Sequence, residues 1–482
     1  MGVTKDLRNA RQRCSSRAII GPMNTLIVMH ASVGSGHLSA ANSIARTAER
    51  LFREGDPVMP RDLRVVVLDI LDFGWIRFDG DRATSSFTGV FRPVYDITWR
   101  YNLTGRFNWA GGSAWSRLMF GRFTKYIQSV EPLAVVCTHI VAANVAVASR
   151  MITGQDFPIV CVPTDYEAEG MWPHLYTNLF CAASESMAET LRCRKVPEER
   201  ILVTGIPTRD TFLVDYNKER MRKAWKLPSE KTVALILAGA NLPRPYIHFR
   251  DAIDVALPQM ARMRNLQVIL VAGQDEEYAE HVRSRCRRLV AHNVTVLGYV
   301  EAIAELMAAS DVVICKPGGL TVTECLNAQK PMLLVGRAYG QEKINVRMLT
   351  SAGAAMHMIT GNELVHALRI IQGTPALLDA LVVNGALLRR PYAAVDIAHA
   401  TMFLAQERRP DAFVQVDSEA SECEQAEADT DAREYARVDA NEPVNAGAES
   451  PCRAARAVGG IPDLSEKHFL HFYWGGKPAH NR

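Results

Sequence analysis

Two short segments in the second half of the chain carry residues suited to binding a phosphorylated sugar. In the first, the apolar residues 312–315 lead through Gly318 and Gly319 into a helical pattern that contains Thr321 and Glu324. Glycines let a ligand approach the backbone, and unpaired amides at a helix N-terminus favour an anion. Glu324 follows about one turn later, where its carboxylate can accept hydrogen bonds from sugar hydroxyls. A diphosphate with an attached ribose fits such a site, although glycine after a strand is also common in ordinary turns.

The second segment, residues 339–345, follows the apolar stretch Met332–Val335 and contains Gln341 and Glu342. If both apolar stretches are parallel strands, the segments emerge at the same edge of one sheet, where α/β proteins bind ligands. An adjacent amide and carboxylate are suited to the hydroxyls of a hexose. Together the two segments predict a nucleotide-sugar site.

The elements that position these residues alternate between strand and helix in both halves of the chain. At 482 residues, this pattern predicts two α/β domains with parallel sheets. The ten cysteines form no CxxC pair, and several lie in apolar stretches, which predicts buried, reduced thiols in a cytosolic protein. No run of ~18 apolar residues and no secretory signal is visible.

The first half opens with a strand pattern at residues 25–30, a small-residue loop at 31–37 that ends in Gly36 and His37, and a helical pattern at 38–51. A nicotinamide-binding site is one alternative for this loop, because Gly34 and Gly36 follow a strand and Asp69 ends the next one. The third glycine of that motif is replaced by Ser39, so the nicotinamide signal is weak.

The motifs resemble a known family. KPGGLTVTE at residues 316–324 and GQEKIN at 340–345 resemble the nucleotide-sugar half of family 28 glycosyltransferases. In particular they are similar to the processive diacylglycerol glycosyltransferases and the monogalactosyldiacylglycerol synthases. Further blocks resemble the same family in the same order, at residues 31–37, 162–166, 203–207 and 296–300.

The resemblance implies a GT-B type α/β fold, in which two Rossmann-like domains face each other across a cleft. The expected divisions are a basic N-terminal arm at 1–23, a lipid-acceptor domain at 24–205, a nucleotide-sugar-binding domain at 206–388, a helix crossing back to the first domain at 389–410, and a disordered acidic tail at 411–482.

The resemblance also implies inverting transfer of a hexose from a UDP-sugar to diacylglycerol. His37 and Asp165 are the two candidates for the base. No cofactor or metal is expected, because the helix N-terminus after Gly319, together with Thr321, would stabilise the departing diphosphate. The expected donor-binding residues are Asn241, Val300, Gly318, Gly319, Leu320, Thr321, Glu324, Gln341 and Glu342. The expected acceptor-binding residues are Gly36, His139, Trp172 and His174.

The sequence departs from the family at residues 238–245, AGANLPRP, where relatives have a Gly-Ala-His-Gly-like loop. The identity of the transferred hexose therefore stays open. Two further alternatives remain: a glycosyltransferase acting on a polyprenyl-linked acceptor, and a non-catalytic nucleotide-sugar sensor at the membrane.

The charge of the chain is unevenly distributed. Residues 411–450 hold twelve acids against two arginines, a balance of −10. Since the whole chain has a net charge of +3, the remaining residues carry a net charge of about +13. Residues 73–126 combine fourteen aromatics with seven arginines, Lys125 and only three acids. This mixture suits an anionic membrane surface, an ordinary core with a basic rim, or nucleic acid. The family resemblance favours peripheral attachment to the cytoplasmic face of the membrane, and nucleic acid is not expected.

Overall fold

The computed structural model describes residues 24–32, 34–75, 118–168, 170–239 and 247–413. The predictions for the basic arm, for most of the aromatic and basic window, for Asn241 and for the acidic tail concern residues outside these ranges.

The first half of the chain forms a sheet of parallel strands. They are β1 (Thr25–His30), β2 (Arg64–Asp69), β3 (Ala134–Cys137), β4 (Ile159–Cys161), β5 (Leu179–Ala182) and β6 (Ile201–Val203). Their order is β2-β1-β3-β4-β5-β6. All six residues of β1 are buried, and Val28 pairs with Val67 on one side and Val136 on the other. Apolar strands buried on both faces are typical of parallel sheets covered by helices.

Among the described residues of this half, the helices are α1 (Ser35–Arg53), α2 (Gly121–Val130), α3 (Ile140–Thr153) and α4 (Glu185–Cys193), with short 3₁₀ turns at Ile70–Phe73 and Glu198–Arg200. Helix α1 begins three residues before its predicted start. Gly34 adopts φ +85° directly before the helix, a conformation that glycine reaches without strain. Because the chain turns there, Gly36 and His37 lie in the first turn of α1, and the prediction that they end a loop is wrong.

The second half forms another parallel sheet. Its strands are β7 (Thr232–Leu237), β8 (Leu266–Val271), β9 (Val294–Leu297), β10 (Val312–Cys315), β11 (Met332–Val335) and β12 (Ala355–Met358). Their order is β12-β11-β10-β7-β8-β9. The strand order reverses between β7 and β10 in this sheet and between β1 and β3 in the first. Ligands of open α/β sheets bind at the carboxyl ends of strands at such reversals.

The helices described in the second half cover both faces of its sheet or follow it. They are α5 (Lys218–Ala224), α6 (Ile247–Met260), α7 (Glu276–Leu289), α8 (Ile303–Ala309), α9 (Gly319–Asn327), α10 (Glu342–Ser351), α11 (Gly361–Gly373), α12 (Ala376–Ala386) and α13 (Ala393–Gln406). Two further 3₁₀ turns cover Asp210–Leu213 and Pro410–Ala412. Helix α13 returns to the first sheet, where it packs against α1. Its Ile397 and Met402 are buried in one core with Leu26 and Val28.

The predicted fold class is confirmed, since both halves are parallel sheets with connecting helices, arranged as two Rossmann-like domains. Seven cysteines lie in the described ranges and none is paired. Cys137, Cys161, Cys181 and Cys315 are buried, as their apolar surroundings in the sequence predict.

Candidate active site

The centre of the candidate site is the N-terminus of α9, directly after β10. Gly318 precedes the helix as a residue without a side chain that could cap it, and Gly319 is the first residue of the helix. A Cβ at Gly319 would overlap Thr164 O and lie 2.9 Å from Asp165 Cα. The loop after β4 therefore touches this helix end, and only glycine permits so close an approach.

Asp165 contacts the groups that the sequence assigns to donor binding. Its carboxylate accepts a hydrogen bond from Asn345 Nδ2 at 2.9 Å, and the Gly319 N–H and the Gln341 side chain lie close enough to lower its pKa through hydrogen bonding. Burial raises the pKa of Asp165, while these hydrogen bonds and the charge of Lys316 lower it. A carboxylate therefore lies beside the N-terminus of α9, as the helix dipole favours.

Asn345 was not among the predicted site residues, although it lies one turn beyond Gln341 in the same motif. Its side chain is completely buried. Asn345 Nδ2 also donates to Pro317 O at 2.9 Å, and its Oδ1 accepts from Tyr166 N at 3.0 Å. The spacing of four residues, which places two side chains on one helix face, is the sequence signal that could have identified it.

A second hydrogen bond joins the same two loops. The Tyr166 hydroxyl lies 2.9 Å from Thr323 Oγ1, and Thr323 Oγ1 donates to Gly319 O at 2.7 Å. Both side chains are buried. The loop after β4 is thus held to the first turns of α9 by contacts on either side of Asp165.

Lys316 and Glu342 form an ion pair beside this contact, with 3.1 Å between Nζ and Oε1. Glu342 is buried, and its Oε2 has no hydrogen-bond partner among the described residues. Burial raises the pKa of Glu342, and Lys316 opposes that rise. A buried acceptor oxygen without a partner is costly, so this atom is suited to a ligand hydroxyl.

Glu324 lies on α9, near Arg209 in the segment after β6. Burial raises the pKa of Glu324 to about 7, and the charge of Arg209 opposes that rise. The Arg209 guanidinium lies 5.1 Å from the centre of the Phe212 ring. Arg209 is a second residue that the sequence analysis missed, because its proximity to Glu324 is set only by the packing of the segment after β6 against α9.

His37 lies at the strand reversal of the first sheet. Its Nδ1 is 2.9 Å from Thr138 O and 2.9 Å from Thr164 Oγ1. A carbonyl oxygen can only accept, so Nδ1 carries the proton and Nε2 of the neutral ring is left as an acceptor. Burial lowers the pKa of His37 to about 4, so the imidazole is neutral at pH 7.

His139 contacts the His37 ring edge to face, with ring centres 4.6 Å apart. Its Nδ1 accepts from Val141 N at 3.1 Å as the N-cap of α3. Burial lowers the pKa of His139 well below its usual range. The two imidazoles are therefore neighbouring neutral groups at one end of the first sheet.

Some of the remaining predicted site residues lie away from the contact between the loop after β4 and α9. Gly36 faces Leu320 across the cleft, since a Cβ at Gly36 would lie 3.8 Å from Leu320 Cβ. Thr321 is half-buried in the first turn of α9, and Val300 is half-buried after β9. Trp172 and His174 are buried, and their rings pack against Phe180. Their side chains thus lie in the core of the first sheet.

Within the described ranges, no group of three or more His, Cys, Asp or Glu side chains is arranged to hold a metal ion. None of the helices in those ranges is both long enough and apolar enough to cross a bilayer.

Two family models match the chain, one in each half. The Glycosyltransferase family 28 C-terminal domain matches residues 247–371, and Monogalactosyldiacylglycerol (MGDG) synthase matches residues 37–208. Together with the two parallel sheets, these matches make both halves of the chain similar to the family 28 glycosyltransferases. Within that class it resembles the enzymes that glycosylate diacylglycerol.

Several relatives are named as glycosyltransferases that act on diacylglycerol. A processive diacylglycerol beta-glucosyltransferase of Bacillus cytotoxicus is 26% identical over 360 residues, which span 73% of this chain and 85% of the relative. Its counterpart in Bacillus licheniformis is 23% identical over 375 residues, spanning 75% and 91%.

Solved structures support the fold. MurG of Acinetobacter baumannii aligns with a TM-score of 0.51 at 17% identity, covering 80% of this chain and 99% of that one. A UDP-GlcNAc 2-epimerase from Neisseria meningitidis, bound to UDP-GlcNAc, aligns with a TM-score of 0.52 at 13% identity, covering 78% and 99%. Different chemistries share this architecture, so the structural likeness carries the fold alone.

Proposed function

We propose that the protein is an inverting hexosyltransferase that moves a hexose from a UDP-sugar to diacylglycerol and so makes a membrane glycoglycerolipid. The observation that carries the proposal is the meeting of three loops and the first turn of α1 at the N-terminus of α9. The β10–α9 and β11–α10 turns supply Gly319 and Gln341, and the first sheet supplies Asp165 and His37 opposite them. The names of the relatives support the lipid acceptor.

The donor is proposed to lie along the second sheet. The diphosphate takes the amides at the start of α9, because this helix end binds an anion without a metal ion. Gln341 and Glu342 bind the hexose hydroxyls, and Glu342 Oε2 supplies a buried acceptor for one of them. The Glu324 carboxylate accepts hydrogen bonds from the ribose hydroxyls, and Val300 packs near the uracil base of UDP.

The reaction is proposed to be a single displacement. The acceptor hydroxyl oxygen forms a bond to the anomeric carbon while the bond from that carbon to the diphosphate oxygen breaks, and UDP leaves. His37 Nε2 takes the hydroxyl proton. Asp165 lies between the groups proposed to hold the diphosphate and the hexose, where its negative charge stabilises the positive charge that develops at the anomeric carbon.

Turnover with defined substrates tests the proposal. Purified protein would be incubated with diacylglycerol in vesicles and with UDP-glucose, UDP-galactose or UDP-N-acetylglucosamine, and the products would be identified by mass spectrometry. A glycosyl-diacylglycerol of inverted anomeric configuration is the expected product. Transfer only to a polyprenyl-linked acceptor would replace the lipid assignment. UDP-sugar binding without any transfer would favour a nucleotide-sugar sensor.

A further inference from the structure

The three hydrogen-bonding groups around Asp165 are not equivalent. Asn345 Nδ2 donates to its carboxylate at 2.9 Å, whereas the Gly319 N–H and the Gln341 side chain, which also lower its pKa, belong to the segments proposed to bind the diphosphate and the hexose. When a donor occupies those segments, both groups have the donor as an alternative partner. The Asn345 side chain has no such alternative partner, because it is 0% exposed and a bound donor cannot reach it. The Asn345 bond is the one that a bound donor leaves in place.

The Asn345 amide is itself held on three sides. Nδ2 donates to Asp165 Oδ1 and Pro317 O, each at 2.9 Å, and Oδ1 accepts from Tyr166 N at 3.0 Å. These bonds fix the plane of the amide and connect the loop after β4 to the turn before α9. A residue fixed in this way can hold a charged neighbour with little loss of conformational freedom on binding.

We propose that Asn345 is a positioning residue for hexosyl transfer, which holds Asp165 beside the bound donor when the Gly319 N–H and the Gln341 side chain bind the substrate. This inference rests on the proposed function, in which Asp165 stabilises charge at the anomeric carbon. It makes the transfer geometry depend on closure, since Asp165 and Asn345 belong to different sheets and meet only when the two loops are in contact.

The charges around Asp165 set the expected pH behaviour. Lys316 faces the carboxylate and lowers its pKa, and Asp165 in turn raises the pKa of the nearby Glu342. Replacement of Asn345 by aspartate would exchange a donor for a second carboxylate at 2.9 Å. Like charges at this distance raise the pKa of the pair, so the acid limb of the kcat–pH profile is expected to move to higher pH in Asn345→Asp.

A double-mutant cycle separates positioning from general stability. Asn345→Ala is expected to lower kcat about ten- to a hundredfold, the usual range for a hydrogen bond to a charged group. In an Asp165→Asn background the same substitution is expected to cause almost no further loss, because it acts through a carboxylate that is no longer there. UDP calorimetry and melting curves on each variant verify that the donor half is folded.

Tyr166→Phe is the matched control. It removes the 2.9 Å bond to Thr323 Oγ1 between the same two loops but leaves the Asn345 contact, so its effect is expected to add to that of Asp165→Asn. Additive losses for Asn345→Ala and Asp165→Asn, or an unmoved acid limb in Asn345→Asp, would overturn the inference while wild-type transfer upholds the proposed function. A folded wild type without hexosyl transfer would overturn both.

Discussion

Lys316 and Glu342 form an ion pair across the two donor segments, with 3.1 Å between Nζ and Oε1. Lys316 directly follows β10, and Glu342 begins α10 after β11. Glu342 is buried and Lys316 is a quarter exposed, so the lysine both neutralises a buried carboxylate and faces the cleft. The pair connects the proposed diphosphate site to the proposed hexose site.

Loss of this pairing is expected to weaken donor binding. In Lys316→Met the buried Glu342 carboxylate is uncompensated, and UDP-sugar affinity should fall roughly tenfold or more, as for a lost hydrogen bond to a charged group. Adding Glu342→Gln should recover part of the stability, because it removes the unpaired charge. Lys343→Met, at an exposed neighbouring lysine, is the control. Equal calorimetric affinities for the two lysine variants would contradict a role for Lys316.

Glu324 should make donor binding depend on pH. With its pKa raised to about 7, the side chain loses its charge as pH falls through that value, and its hydrogen bonds to sugar hydroxyls weaken. UDP-glucose affinity is therefore expected to decrease from about pH 8 to about pH 6 in the wild type and to change less in Glu324→Gln. Glu324→Ala should lose about 1.5–3 kcal/mol of binding free energy. Unchanged UDP binding in a folded Glu324→Ala variant would refute the assignment.

His37→Ala is expected to lose about 10²- to 10⁴-fold in turnover, the usual cost of removing a general base, while UDP binding should persist because the proposed donor site lies on the other sheet. Since the pKa of His37 is lowered to about 4, protonation of this imidazole should reduce activity only below about pH 5. Asp165→Asn should cause a smaller loss than His37→Ala. Full activity in His37→Ala beside an inactive, folded Asp165→Asn would reverse the two roles.

Gly319→Ala should hold the two loops apart. The added methyl would overlap Thr164 O, so the contact between Asp165 and α9 cannot form without a backbone shift. We expect a lower melting temperature and a large loss of transfer, measured by thermal unfolding and turnover. Gly373→Ala is the control, because a Cβ there meets no atom within 4 Å. Wild-type turnover in Gly319→Ala would show that this contact is not needed.

Membrane attachment is expected to be peripheral and partly electrostatic, from the basic and aromatic composition of residues 73–126. Neutralising Arg77, Arg82, Arg92 and Arg100 should weaken sedimentation with anionic vesicles, most clearly at low salt, where charges are screened least. Neutral vesicles provide the reference. Equal sedimentation of wild type and variant with anionic vesicles at low ionic strength would be incompatible with this mode of attachment.

The class of fold and the position of the donor segments follow from local sequence. Apolar stretches such as Met332–Val335 are strands buried on both faces, and each is followed by the polar residues that emerge at the carboxyl edge. Gly318 and Gly319 mark a helix N-terminus because no side chain obstructs it. These features depend on residues close together in the chain, so periodicity and composition suffice to predict them.

Contacts between the halves could be known only from the tertiary structure. Asp165 meets Asn345 across 180 residues of sequence, and Arg209 faces Glu324 only because the segment after β6 packs beside α9. Trp172 and His174 are buried against Phe180 although their motif suggested an acceptor surface. The chemistry of a side chain determines which groups it can form a hydrogen bond or an ion pair with. Which partner it meets, and whether burial shifts its pKa, depends on how the two sheets pack, because distance and desolvation are properties of that packing.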